Sequence, residues 1–337
     1  MMSTLGLERE PGVPPVSQAL AYSAHPRSLS EYAADLSRNG VRVLPGGSST
    51  FWTAYGPGAL MRQPSFYLAP PPAGEIRRVL WRARALLASY MLEPDADHRA
   101  NAWLYSCSDH NYGFEKLDRS KRSHARTGLR ELCIAPLTAE QLLAQGAAAY
   151  CDTCRRLGLS DGTKEAFRQY ITGLSRLPEY VFLGAWKDAQ LAAFLVILEV
   201  DHWADIQGTF SMDVLRRYRP NETLLYTALH QYLAIRRYRL VSNGVSSLAE
   251  ASNAAGLHQF KTEVGFEARP VHRAFVLHPL LRPLANRLTL RLALQGVNTA
   301  AHCAPANRLL RKTSGMLSSV LGDTHMLDTA AGGTTPS

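Results

Sequence analysis

Two apolar runs separated by a charged pair most constrain what this chain can fold into. Residues 179–186, EYVFLGAW, and 190–200, QLAAFLVILEV, lie on either side of Lys187-Asp188. Each run is strand-sized, and a short charged turn between two such runs is a hairpin signal. The segment 205–212, DIQGTFSM, can pair as a third strand. The period then changes. Asn221 to Arg237 reads as a helix, with Leu225, Leu229 and Tyr232 in one apolar row flanked by Leu224, Ala228 and Ile235. A strand follows at 239–245, RLVSNGV, then a helix in AGLHQFKTEV with Gly265 as its C-cap, and a last strand at 266–278. Residues 280–296 are expected to form one more helix.

Upstream, 28–39 reads as a short helix. From Val41 to Pro72 short apolar pieces are broken by PGGSS, GPG and PPP, a pattern of hairpins. LLASYML (86–92) and AWLYSCS (102–108) read as strands, and 138–157 and 161–176 as helices. The fold class is therefore α+β. Residues 1–27, rich in Pro and Ser, are expected to be a flexible tail, and 297–337, rich in Ala, Thr, Gly and Ser, a disordered one.

Between these blocks, Phe114 to Leu132 has helical period. Phe114, Leu117, Ala125, Gly128, Leu129 and Leu132 share one side of a helical wheel, while Arg119, Arg122, Arg126 and Arg130 form a stripe opposite. Lys121 falls among the apolar positions. Either it snorkels past its neighbours or it points into a cleft and contacts substrate.

Several function classes are disfavoured. The longest apolar run, Leu191 to Leu198, is too short to span a membrane. The N-terminus carries Glu8, Arg9 and Glu10, so no signal peptide is expected and a cytoplasmic location is the default. Five cysteines, an odd number, argue against a disulfide framework. CDTC at 151–154 has no second pair to complete a zinc site and sits in an Ala-rich helical run, which points to helix packing; no metal is expected. No Walker loop, Rossmann fingerprint or Ser-His-Asp order is present. The net charge of +9 favours anionic partners such as nucleic acid, phosphates or coenzyme A.

From 179 the order is strand, strand, strand, helix, strand, helix, Gly-Phe, strand. This resembles the C-terminal half of a GNAT acyltransferase, where a FYEKLGF-type segment joins the last helix and strand. FKTEVGF (260–266) is more similar to the Fem-type branch, the tandem GNAT proteins, and LDRSKRSHARTGLRE (117–131) is similar to the K-x-R-x-x-I-R-x-G/A helix of the same relatives. The resemblance covers about residues 100–278. It implies a mixed, mainly antiparallel sheet flanked by helices, in two GNAT-like halves, with 28–137 a degenerate first half and 138–296 the acyltransferase domain. It also implies acyl transfer from acyl-CoA, as a co-substrate, to an amine-bearing small molecule or peptide.

The resemblance places the donor pyrophosphate at RRYRPNETLL, where a Gly-rich loop is missing. A helix starting near Asn221 would still offer free N–H groups, and Arg216, Arg217 and Arg219 would add charge, so Arg216, Arg217, Arg219, Asn221, Glu222 and Thr223 are the candidate donor site. The GNAT tyrosine that protonates the leaving thiolate corresponds to Lys261. In the Fem-type relatives a lysine here is implied to stabilise the reacting carbonyl oxygen; the ordinary alternative is a lysine favoured by the helix C-terminal dipole. Asn243, Ser246 and Ser247, at the end of a strand, are candidates for substrate binding, or ordinary turn residues. Glu199, Asp201 and Asp205 are candidate proton acceptors, while His202 and His230 are expected to be structural or surface residues. Alternative functions are a Fem-type transferase using aminoacyl-tRNA, to which the arginine stripe is suited, a nucleic-acid-binding module, and a silent GNAT scaffold.

Overall fold

In the computed structural model the described residues are 27–284, apart from Ser48, Pro57, 160–161 and 249–253, together with 291–297 and residue 299. Helix α1 (Leu29–Arg38) opens with a capping box: the Ser28 hydroxyl accepts from the Glu31 N–H, and the Glu31 carboxylate accepts from the Ser28 N–H. The expected hairpins are β1 (Val43–Pro45), β2 (Phe51–Gly56) and β3 (Ala59–Gln63), paired antiparallel in sequence. Helix α2 (Glu75–Ala83) was not foreseen. Its arginines and the preceding PPP mask the helical spacing of Ile76, Val79, Leu80 and Ala83. Strands β4 (Leu87–Leu92) and β5 (Ala102–Cys107), helix α3 (Arg119–Glu131) and strand β6 (Cys133–Leu137) follow.

The region expected to be one helix, 138–157, is two: α4 (Ala139–Gln145) and α5 (Ala147–Arg156). They meet at Gly146, where a Cβ would lie 2.6 Å from a Leu142 methyl and 2.8 Å from the Phe167 ring, so close packing fixes both the break and the glycine. Helix α6 (Lys164–Leu174), strands β7 (Tyr180–Lys187), β8 (Gln190–Val200) and β9 (Trp203–Ser211), helix α7 (Pro220–Leu229), strand β10 (Leu240–Ser247), helix α8 (Ala254–Glu263) and strand β11 (Glu267–Leu277) complete the order. Helix α7 runs on through a π-helical turn, His230–Ile235. The helix expected at 280–296 is instead a 3₁₀ segment, Pro279–Leu284, with helical backbone again at 291–297; 285–290 lie outside the described residues. The expected tails, 1–27 and 297–337, lie almost wholly outside them too.

The strands of the described residues form one eleven-stranded sheet, in the order β1-β2-β3-β4-β11-β5-β10-β9-β8-β7-β6. Every pairing is antiparallel except β3 with β4 and β9 with β10. The sheet is mixed and mainly antiparallel, flanked by helices. The expected boundary at 137/138 falls between β6 and α4, while β5 and β6 are sheet neighbours of β10, β11 and β7. Strand β8 shows why the apolar run is continuous: both of its faces are covered. Ala193, Leu195 and Ile197 join the cluster under α3 and α7, Phe194 and Val196 pack with α5 and α6, and Leu198 and Val200 meet α1.

Candidate active site

The sheet parts between β9 and β10. They pair in parallel only from Leu240 beside Trp203 to Ser242 beside Asp205. Beyond that point β10 stays with β5 and β9 with β8, so a cleft opens between them. Both strands are irregular here. The β10–β5 register shifts between Ser242 and Val245, with Gly244 at φ 69°, and the β9–β8 register shifts opposite Val196 and Ile197. Irregularities of this kind are common beside active sites, because they re-aim side chains and end pairing.

Lys261 enters this cleft from the last turn of α8. The end of the helix is fixed by two bonds, Phe266 N–H to the Lys261 carbonyl at 3.1 Å and Gly265 N–H to the Thr262 carbonyl at 3.0 Å. This is the Schellman arrangement, with Gly265 in the left-handed region at φ 104°. A Cβ on Gly265 would also lie 2.9 Å from the Tyr112 ring. The Lys261 side chain is not an exposed helix-end group. The residue is 8% exposed, its Nζ lies 4.3 Å from the centre of the Tyr105 ring, and it donates to the Asn243 carbonyl at the β10 irregularity. Burial pulls its pKa down from 10.5 to about 8, with the Asp205 carboxylate acting weakly in the other direction.

Two polar networks flank the ammonium. Tyr105 Oη is 2.9 Å from Ser246 Oγ and 3.1 Å from His258 Nδ1. His258 lies three residues before Lys261, on the same face of α8. On the other side, Asp205 accepts from Ser242 Oγ and, at 3.3 Å, from Gln207 Nε2, whose side-chain oxygen accepts from Tyr180 Oη at 3.1 Å. Burial raises the Asp205 pKa, and its hydrogen bonds and Lys261 limit the rise. Of the residues expected to bind substrate, Ser246 joins the first network, Asn243 contributes its carbonyl to Lys261, and Ser247 pairs with Ala102 at the end of β10.

The expected donor segment divides into outward and inward residues. Arg216, Arg217 and Arg219 are exposed where α7 begins, and Arg217 lies over the Tyr218 ring. Pro220 at the first helical position follows Arg219 at φ 60°. Asn221 Oδ1 is buried with no hydrogen-bond partner among the described residues. Glu222 and Thr223, by contrast, turn into the protein. Glu222 faces Lys121 at 3.9 Å and His124 at 3.3 Å. Thr223 is fully buried, and its hydroxyl donates to the Arg219 carbonyl at 2.8 Å. It packs on Gly128 of α3, whose added Cβ would lie 1.8 Å from the hydroxyl oxygen. Their side chains hold α7 to α3.

Lys121 is held between helices rather than aimed into the β9–β10 cleft: besides Glu222 it meets Glu263 at 3.4 Å and lies over the Phe260 ring at 4.9 Å. The stripe is only partly solvated. Arg122 donates to the Glu115 and Leu117 carbonyls, while Arg119, Arg126 and Arg130 are exposed, Arg126 lying over the Phe114 ring. Glu199 is buried under Tyr232, Tyr238 and Arg236, and Asp201 caps α1 through the Leu29 N–H, so neither faces the cleft. His202 is exposed, and His230 stacks on Tyr226 with its pKa lowered by burial. Cys154 is core and Cys151 half-buried on α5. Sequence reasoning missed Tyr105, Ser242 and His258. No local motif marks them, because β5 and α8 meet only through the sheet order.

No family model and no curated protein matches the chain. Solved structures do. The chain is similar to the C-terminal domain (DUF2156) of a protein described as a lysylphosphatidylglycerol synthetase from Agrobacterium fabrum, with 16% identity, covering 72% of this chain and 87% of that one, at a TM-score of 0.50. It is also similar to FemX, with 11% identity over 77% of this chain and 95% of that one, at a TM-score of 0.52. Identities this low establish the fold, and it is the GNAT fold that the order of elements from 179 to 278 implied.

Proposed function

We propose that this chain is an acyltransferase whose reaction centre is the cleft where β9 and β10 part. The observation that carries the reading is the Lys261 ammonium, held in a buried position at that cleft with Asn243 O as its one hydrogen-bond acceptor among the described residues. An ammonium has three N–H donors, so two remain to meet a carbonyl oxygen that gains charge. An acceptor amine attacks the acyl carbonyl, a C–N bond forms, and the bond to the donor's sulfur or oxygen breaks as the leaving group departs. Lys261 stabilises the oxyanion between these events. The proton lost by the amine goes to a neighbouring base, and His258 and Asp205 are the two candidates beside Lys261.

The donor in this proposal is acyl-CoA, its phosphates meeting Arg216, Arg217 and Arg219 at the start of α7, where helix N–H groups also favour an anion. A small molecule or peptide bearing an amine is the acceptor, and the site of action is the cytoplasm. Exposed Arg119 and Arg130 and the net charge of +9 favour a second reading, aminoacyl-tRNA as donor, and likeness to FemX and to the synthetase domain fits it. Thermal unfolding separates the two. Under the first, millimolar acetyl-CoA raises the melting temperature by mass action, and Arg217→Ala with Arg219→Ala weakens the rise. No shift with acetyl-CoA, together with salt-sensitive tRNA binding, would replace the first donor with the second. Absence of both would overturn the proposal.

A further inference from the structure

Helix α2 lies toward the β1 end of the sheet, away from the β9–β10 cleft in its interior, packed on the cluster that contains Trp52, Leu60 and Ala88. It buries Glu75, Val79, Leu80 and Ala83. Its outward face carries Arg77 and Trp81 in one row and Arg78 and Arg82 in the next, with Arg84 closing the helix. Among the described residues none of these four arginines forms an ion pair. Glu75, the acid of the helix, is turned inward, where it accepts from Trp52 Nε1 and from the Gly47 N–H, each at 2.7 Å.

Large apolar side chains surround the same spot. Trp81 is 48% exposed, and its ring lies 4.4 Å from that of His278. The His278 N–H donates to the Leu86 carbonyl at 2.8 Å, and its Nδ1 accepts from the Leu280 N–H at 3.3 Å. Leu86 and Leu280 are 55% and 67% exposed. His278 therefore joins three exposed apolar residues into one patch beside four unneutralised arginines.

We propose that this patch docks the protein on an anionic lipid surface, with α2 lying in the plane of the bilayer. The chemistry of each group fits its place. Guanidinium groups reach headgroup phosphates, Trp81 has the amphipathic ring suited to the interface, and Leu86 and Leu280 enter the acyl boundary. A nucleic acid would use the arginines but leave both leucines against its phosphates, and Trp81, the exposed aromatic here, is already packed edge-on to His278. The inference stands apart from the transfer reading, since none of these residues touches the β9–β10 cleft.

The test is sedimentation of the full chain with vesicles of phosphatidylcholine alone or containing about 30% phosphatidylglycerol, at low and high salt. The proposal expects binding only to the anionic vesicles, falling with salt. The double variant Arg78→Glu, Arg82→Glu should lower the partition coefficient at least about 25-fold, on the basis of about 5-fold per basic residue at the surface. Trp81→Phe should remove the blue shift of tryptophan emission on binding while the melting temperature stays unchanged. Equal binding to neutral vesicles, no binding to either kind, or binding indifferent to the arginine reversals would overturn it. So would loss of tRNA binding in the reversed variant without any vesicle binding by the wild type, which would make α2 a nucleic-acid face.

Discussion

Replacing Lys261 by Met should stabilise the protein at neutral pH. Burial holds the Lys261 pKa at about 8 against an ordinary 10.5, which corresponds to about 3 kcal/mol acting against the charged form in the folded state. The sign follows from proton counting. Below pH 8 the lysine is charged in both states, and the folded state bears the whole penalty. Between pH 8 and 10.5 the folded chain releases its proton first, so wild-type stability rises with pH; above 10.5 the penalty is gone. Methionine fills a similar volume without the charge. It strands the Asn243 carbonyl, which costs about 1 kcal/mol. The variant should therefore be about 2 kcal/mol more stable at pH 7, with the difference shrinking or reversing by pH 10.5. Urea unfolding of both proteins at the two pH values measures this. A variant less stable at pH 7, or a difference that does not change with pH, would refute the claim that Lys261 is held at a cost in a site built for its charge.

The same titration predicts that turnover falls on the alkaline side with an apparent pKa near 8, because an oxyanion-stabilising ammonium must be protonated; a pH–rate profile flat through pH 9 contradicts it. Gly128→Ala forces a Cβ to within 1.8 Å of Thr223 Oγ1, so it should lower stability by about 1–3 kcal/mol in denaturant unfolding. Gly173→Ala meets nothing within 4 Å in the last turn of α6 and should stabilise by a few tenths to about 1 kcal/mol in the same assay. Glu199→Ala leaves Arg236 with its buried partner missing and should cost about 3 kcal/mol or more, an expectation its urea midpoint checks.

The elements from 179 to 278 were legible because each carries its own local signal: the Lys187-Asp188 turn, the β8 run and the Gly265 cap. The place of Lys261 in the last turn of α8 was legible because its spacing to Gly265 is local too. Side-chain surroundings that depend on distant packing were not legible. Glu222 and Thr223 look like the start of an anion-binding helix, yet Gly128 of α3 leaves room for α7 to press both inward. Lys121 looks like a cleft residue because its partners, Glu222 and Glu263, come from two other helices. Glu199 looks like a free acid until Tyr232, Tyr238 and Arg236 close over it. Tyr105, which carries Lys261 on its ring and His258 on its hydroxyl, comes from a strand more than a hundred residues earlier in the chain. Only the insertion of β5 between β10 and β11 brings it there.

The central claim, that acyl transfer runs through Lys261, is tested most directly by the rate at which the protein consumes an activated acyl donor. Thiol release from acetyl-CoA with a panel of amines, and deacylation of aminoacyl-tRNA with the same panel, would be followed for wild type and Lys261→Met. Wild type should consume one of the two donors in an amine-dependent reaction, and Lys261→Met should do so on the order of 100-fold more slowly or worse while binding that donor equally well. Consumption at the wild-type rate by Lys261→Met would contradict the claim.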